Sequence, residues 1–144
     1  MKAYIAGPFF NATQLIIIEL IKDTCKQAEM QFFSPKDESN FKQGDDPKVV
    51  LQRNCDAIED CNFIIAVTDD KDVGTMWEAG YAYACNKPII YVWLGYKPDM
   101  SFNIMLAASG EAVVHDYKSL YNQLIAYRQT GKFDSNLNKD MLHE

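Results

Sequence analysis

Short runs rich in apolar residues alternate along this chain with longer stretches where apolar positions recur every three or four residues. The runs are Ala3 to Ala6, Gln31 to Ser34, Phe63 to Thr68, Ile89 to Leu94 and Glu111 to Val114, with Gly, Pro and Asp at their ends. Each has the length of a strand. The unbroken Phe63-Ile64-Ile65-Ala66-Val67 has the character of a strand buried on both faces. Between the runs, residues 12 to 29 carry Leu15, Ile18 and Ile21 at the spacing of one helical face. Asp46-Pro47 opens a helix through Asp60, with Pro47 suited to its first turn. Further helices are expected from the Val73 region to about Cys85, around residues 103 to 108, and over 117 to 128. Strands alternating with helices in this order predict an α/β protein with a doubly wound parallel sheet. Residues 36 to 47 form a polar connection of about 12 residues, of the kind used for lids and binding loops.

Composition narrows the function without naming it. At 144 residues, 48% of them hydrophobic, the chain has the size and core of one domain, expected over residues 1–130 with a polar tail at 131–144. A formal charge of −6 disfavours nucleic acid as a partner, which calls for a basic stripe. No apolar run approaches the roughly 18 residues that span a membrane, and Gly7-Pro8 interrupts the start too early for a signal peptide. Cys25, Cys55, Cys61 and Cys85 show no metal-site spacing, and they read as reduced thiols of a cytoplasmic protein. With only His115 and His143 besides, no metal site is expected.

The candidate chemistry gathers after the third strand, in Asp72-Val73-Gly74-Thr75-Met76-Trp77-Glu78-Ala79-Gly80. Ligands of open α/β sheets bind outside the carboxyl ends of the strands, where this segment begins. Glu78, expected in the first turn of a helix, is the leading catalytic group. The alternative is structural: Thr75-x-x-Glu78 has the form of a capping box. Two features favour chemistry over capping. Asp69, Asp70 and Asp72 form an acidic cluster that is costly without a ligand, and Gly80 costs about 1 kcal/mol relative to Ala unless something approaches its backbone. Tyr4 on the first strand is either core or a hydroxyl that orients a neighbouring carboxylate. Gly7-Pro8-Phe9-Phe10 reads as the turn into the first helix, and no phosphate-binding glycine loop is present.

Three segments together resemble the nucleoside 2-deoxyribosyltransferase family over roughly residues 3 to 114. They are Tyr4-Ile5-Ala6-Gly7-Pro8-Phe9-Phe10, Asp72-x-Gly74-Thr75-x-Trp77-Glu78-x-Gly80 and Asn103-Ile104-Met105. The resemblance implies a flavodoxin-like five-stranded sheet. It also implies base exchange on 2′-deoxynucleosides in nucleotide salvage, without metal or organic cofactor. Glu78 would be the nucleophile, holding a covalent deoxyribosyl ester that a second nucleobase resolves, as retaining glycosidases work through two displacements. Tyr4 would orient it and Asp72 would grip a sugar hydroxyl. Gly7, Phe10, Asn54 and Gly74 would line the substrate site. Asn103 and Met105 would reach into a neighbouring subunit's site, in a homo-oligomer that is a dimer or a hexamer of dimers.

One position departs from the family pattern. Asn54 stands where an aspartate often handles the proton of the departing base, and an amide cannot donate one as a general acid. Asp56 lies two positions on, turned about 200° around the helix, and cannot substitute. Two other functions compete: a 2′-deoxynucleoside 5′-monophosphate N-glycosidase that passes the sugar to water, and a non-catalytic nucleotide sensor. Asn103 and the acidic balance lean towards a free nucleoside, while Ser101 and Ser109 keep the hydrolase in play.

Overall fold

The computed structural model describes residues 1–39, 41–135 and 142–144. Five parallel strands form one sheet in the order β2-β1-β3-β4-β5. They are β1 (Lys2–Ala6), β2 (Gln31–Phe33), β3 (Phe63–Val67), β4 (Ile89–Val92) and β5 (Ala112–Val114). The helices are α1 (Ala12–Gln27), α2 (Pro35–Glu38), α3 (Pro47–Asp60), α4 (Val73–Ala84), α5 (Ile104–Ser109) and α6 (Tyr117–Thr130). The doubly wound parallel sheet is as the sequence predicts. Several predicted runs outlast their strands: the Trp93 N–H still pairs with the Val114 carbonyl, but the Leu94 N–H turns to the Asp69 side chain. The polar connection after β2 is less irregular than predicted: Pro35, fixed in φ and lacking an N–H, starts the single-turn α2.

Residues on each strand alternate between two cores. Ala3 and Ile5 pack with Ile18, Ile21 and Cys25 of α1 and with Leu120 and Leu124 of α6. Tyr4 and Ala6 face the other way, with Ile64, Ala66, Ile58 of α3 and Ala79 and Ala82 of α4. This period of two puts Tyr4 beneath α4. The first core continues past α6, because Phe133 is buried against Phe63 and Tyr127 at ring distances of 4.9 and 4.6 Å. Of the segment expected to be a polar tail, residues 136–141 lie outside the described residues. Beyond them Glu144 pairs through its backbone with Phe102 and Ile104. All four cysteines are free, and three are buried. Among the described residues no helix is long and apolar enough to cross a membrane, and no cluster of metal-ligating side chains occurs.

Candidate active site

The strand order reverses direction between β1 and β3, the position where ligands enter such sheets. Tyr4 comes from β1, and Glu78 comes from the helix that follows β3. The Tyr4 side chain is wholly buried and stacks on Phe33, its register partner on β2, with ring centroids 5.4 Å apart. Its hydroxyl donates to Glu78 Oε2. Burial and then the Glu78 charge push the Tyr4 phenol far above its ordinary range, so it stays protonated and donates.

Glu78 reaches this bond because it is not a capping residue. Asp72 is the N-cap of α4: its Oδ2 accepts from the Thr75 backbone N–H and from the Thr75 hydroxyl, both at 2.8 Å. The capping box expected from Thr75-x-x-Glu78 is therefore shifted three residues towards the N-terminus. An aspartate exactly one capping interval ahead of Thr75 takes the cap, Thr75 becomes N3, and Glu78 moves into the second turn. Its carboxyl is pushed from the ordinary 4.5 up to about 7, first by burial and also by the neighbouring Asp72 charge, while the Tyr4 hydrogen bond pulls the other way. Tyr4, Asp72 and Glu78 thus form one cluster.

Two arguments for this region have different causes from those expected. The acidic cluster is held by backbone and amide donors of the chain itself: Asp69 accepts from the N–H groups of Leu94 and Gly95, and Asp70 accepts from Gln14 Nε2. No ligand is needed to assemble it. At Gly80 nothing in the described chain comes within 4 Å of where a Cβ would stand, so close packing does not explain that glycine. Gly7, in contrast, is a packing position. A Cβ there would meet Ile18 Cδ1 at 2.8 Å and Val67 Cγ2 at 3.1 Å, so the tip of the Ile18 side chain would have to shift.

The remaining candidates are spread around this cluster. Phe10 is 74% exposed at the carboxyl end of β1, and Gln14 pins its backbone by accepting from its N–H at 2.9 Å while donating to Asp70. Gly74 is exposed beside the Asp72 carboxylate. Asn54, on α3, accepts the hydroxyl proton of Ser39. Asn103 caps α5, its Oδ1 taking the N–H groups of Met105 and Leu106, and Met105 is 73% exposed. Asn103 also lines a cavity of about 340 Å³ with Thr68, Met76, Trp93, Phe102 and Glu144, and neither Tyr4 nor Glu78 lines it. No hydrogen bond or ring contact among the described residues joins Asn103 or Met105 to the Glu78 cluster. Sequence reasoning missed Phe33, which stacks on the Tyr4 ring, and the bond that joins Ser39 to Asn54. Phe33 was within reach, since neighbouring parallel strands bring same-face residues together. Nothing in the sequence marks the Ser39–Asn54 pair.

An Asp72→Ala variant is expected to lose both the α4 cap and a site carboxylate. The first costs about 1 kcal/mol, read as a lowered melting temperature. The second is expected to slow turnover, and unchanged kcat and KM would remove Asp72 from the site.

Comparison with known proteins bears on the fold and on the family. A search of curated proteins finds no match. Among solved structures, a 2-deoxyribosyltransferase from Bacillus psychrosaccharolyticus is similar with a TM-score of 0.73 and 23% identity, over 85% of this chain and 91% of that one. A conserved protein from Enterococcus faecalis V583 is similar at 0.75 and 16%, over 86% and 96%. The CMP N-glycosidase BcmB of Clostridium botulinum is similar at 0.58 and 18%, over 86% and 98%. At these identities the likeness is one of fold, and it agrees with the flavodoxin-like sheet. The sequence model of the family described as nucleoside 2-deoxyribosyltransferase matches residues 3–123, most of the chain and all of the Tyr4–Asp72–Glu78 cluster. By that match, the chain belongs to the nucleoside 2-deoxyribosyltransferase family.

Proposed function

We propose that the protein exchanges the base of 2′-deoxynucleosides through a covalent deoxyribosyl-Glu78 ester. The observation that carries this reading is the Glu78 carboxylate held by the buried Tyr4 hydroxyl beside Asp72, at the switch point of the sheet. In the first displacement a Glu78 oxygen bonds C1′ while the C1′–N bond breaks, and its electron pair leaves with the base. In the second, a ring nitrogen of another base bonds C1′ and loses its proton to water while the C1′–O bond to Glu78 breaks, so configuration at C1′ is retained. Tyr4 is a positioning residue that fixes the attacking carboxylate. Asp72 uses one oxygen for the helix cap, which leaves the other to accept from a sugar hydroxyl. The exposed Ile104 and Met105 support a homo-oligomer in which α5 of one subunit reaches the site of another.

A hydrolytic alternative has one observation in its favour, the structural likeness to a CMP N-glycosidase. The same site would then give the sugar to water. Incubating the protein with thymidine or 2′-deoxyinosine and excess adenine or cytosine separates the two. Exchange yields a new deoxynucleoside by chromatography. Free base with free deoxyribose and no exchange overturns the transfer reading in favour of hydrolysis, and the deoxynucleoside monophosphates are then the substrates to try.

A further inference from the structure

We propose that Gln14 is a positioning residue for the Glu78 chemistry: its side-chain amide ties the loop after β1 to the turn before α4, and so fixes the nucleophile's helix against the strand that carries Tyr4. This inference rests on the glycosyl-transfer reading of the Glu78 site.

Gln14 stands three residues after Asn11, the N-cap of α1, whose side chain accepts the Gln14 N–H at 2.9 Å. In a capping box a glutamine at this position reaches back to the N–H of the cap itself. Here it reaches one residue further. Gln14 Oε1 accepts from the Phe10 N–H at 2.9 Å, and Gln14 Nε2 donates to Asp70 Oδ2 at 2.9 Å. A backbone N–H can only donate and an ionised carboxylate can only accept, so the two partners fix which way the amide points. The side chain is buried, which shields both bonds from water.

On its far side Gln14 holds a strained turn. Asp70 and Lys71 have φ values of 64° and 50°, in the left-handed region that residues other than glycine occupy at a cost and keep only where their surroundings hold them. These two residues turn the chain from the end of β3 into Asp72, the N-cap of α4. One side of the turn is tied to the end of β4, where Asp69 accepts from the Leu94 and Gly95 N–H groups. The other side is tied to α1 by Gln14. The β1–β3 ladder pairs residues as far as Ala6 with Ala66. Beyond it, the Phe10–Gln14–Asp70 bonds carry the connection between the two loops, with Tyr4 on the β1 side and Glu78 on the α4 side. With that bridge broken, the left-handed pair is free to relax, and the shift reaches Glu78 through the first turns of α4. A carboxylate moved off the line of attack slows both displacements, since its oxygen first forms and then breaks the bond to C1′.

The test measures kcat and KM for exchange onto adenine from 2′-deoxyinosine and from thymidine. It is run on wild type, Gln14→Glu, Asp70→Asn and the double variant, with melting curves showing which are folded at the assay temperature. Gln14→Glu still accepts from the Phe10 N–H but sets one carboxylate against another. It is expected to lower kcat about 10- to 100-fold from both donors, with KM changing much less. Asp70→Asn alone can still present an oxygen to Gln14 and tolerates a positive φ, so it is expected to stay near wild type. The double variant again faces a donor with an acceptor, in reversed polarity, and is expected to recover most of kcat. If Gln14→Glu does not fold, Asp70→Gly decides: it adopts the left-handed turn without strain, cannot bond Gln14, and is expected to show the same fall in kcat. A folded Gln14→Glu protein with a lower melting temperature and unchanged kcat overturns the inference, as does a double variant no faster than Gln14→Glu. In both of those cases wild type still exchanges bases and the transferase reading survives. A wild type that releases base without exchange overturns the transfer reading alone, and the same comparison made on released base then decides the role of Gln14. A wild type with neither activity overturns both.

Discussion

Glu78→Gln is expected to abolish base exchange, by at least about a thousandfold, while leaving a protein more stable than wild type at alkaline pH. The loss follows from the chemistry, because a carboxamide cannot form the glycosyl ester. The gain follows from linkage. The folded protein holds the Glu78 proton more tightly than the unfolded chain, since its pKa rises from 4.5 to about 7. A raised pKa contributes stability that is fully present below the unfolded value and is lost as pH rises through the folded one. Glutamine has the shape of the protonated acid and keeps that contribution at every pH. The difference is therefore expected to vanish near the unfolded value of 4.5 and to grow to at most about 3 kcal/mol above the folded one. Thermal melts of both proteins at mildly acidic and mildly alkaline pH check it. A variant that melts no higher than wild type on the alkaline side would show that the carboxylate is not paying for its burial, and residual exchange near the wild-type rate would remove Glu78 from the chemistry.

Tyr4→Phe is the second large expected effect, and its signature is a displaced pH profile. The attacking carboxylate must be ionised, so wild-type activity is expected to rise with pH through about 7. Among the causes acting on Glu78, the Tyr4 hydrogen bond lowers its pKa, while burial and Asp72 raise it. Removing the hydroxyl therefore leaves the carboxyl protonated to higher pH, and the acid limb moves in the alkaline direction. Loss of a hydrogen bond to a charged group slows exchange at neutral pH by roughly 10- to 100-fold. Part of the rate should return as the pH is raised. A purely structural role for Tyr4 predicts lower stability with the limb unmoved.

The architecture was legible in the sequence because each strand is a compact apolar run and each long helix has a spaced apolar face. The site was legible in part. Glu78 and Tyr4 could be named, but their direct bond spans 74 positions and only the sheet order joins them. The capping reading of Thr75 and Glu78 failed because two carboxylates stood at capping intervals, and Asp72 was the one that took the helix end. The acidic cluster misled for a related reason. Its partners, the Leu94 and Gly95 amides and the Gln14 side chain, come from distant segments that spacing does not reveal. Gly7 was placed with the substrate from its motif, whereas the Ile18 and Val67 side chains fill the space where a Cβ would stand, a packing reason for glycine that the motif does not reveal.

The position of β1 has a consequence for how the molecule comes into being. The first strand of the chain is interior to the sheet, paired with β2 on one edge and β3 on the other. As the chain leaves the ribosome, β1 and β2 can pair early and pack against α1. The second edge of β1 stays open until Phe63–Val67 arrives, and Glu78 follows later still. Non-local parallel pairings of this kind are slow and expose strand edges while they wait. The nascent chain is thus most exposed to edge pairing while β1 has one partner, and only after β3 has closed that edge does α4 bring Glu78 to the Tyr4 hydroxyl.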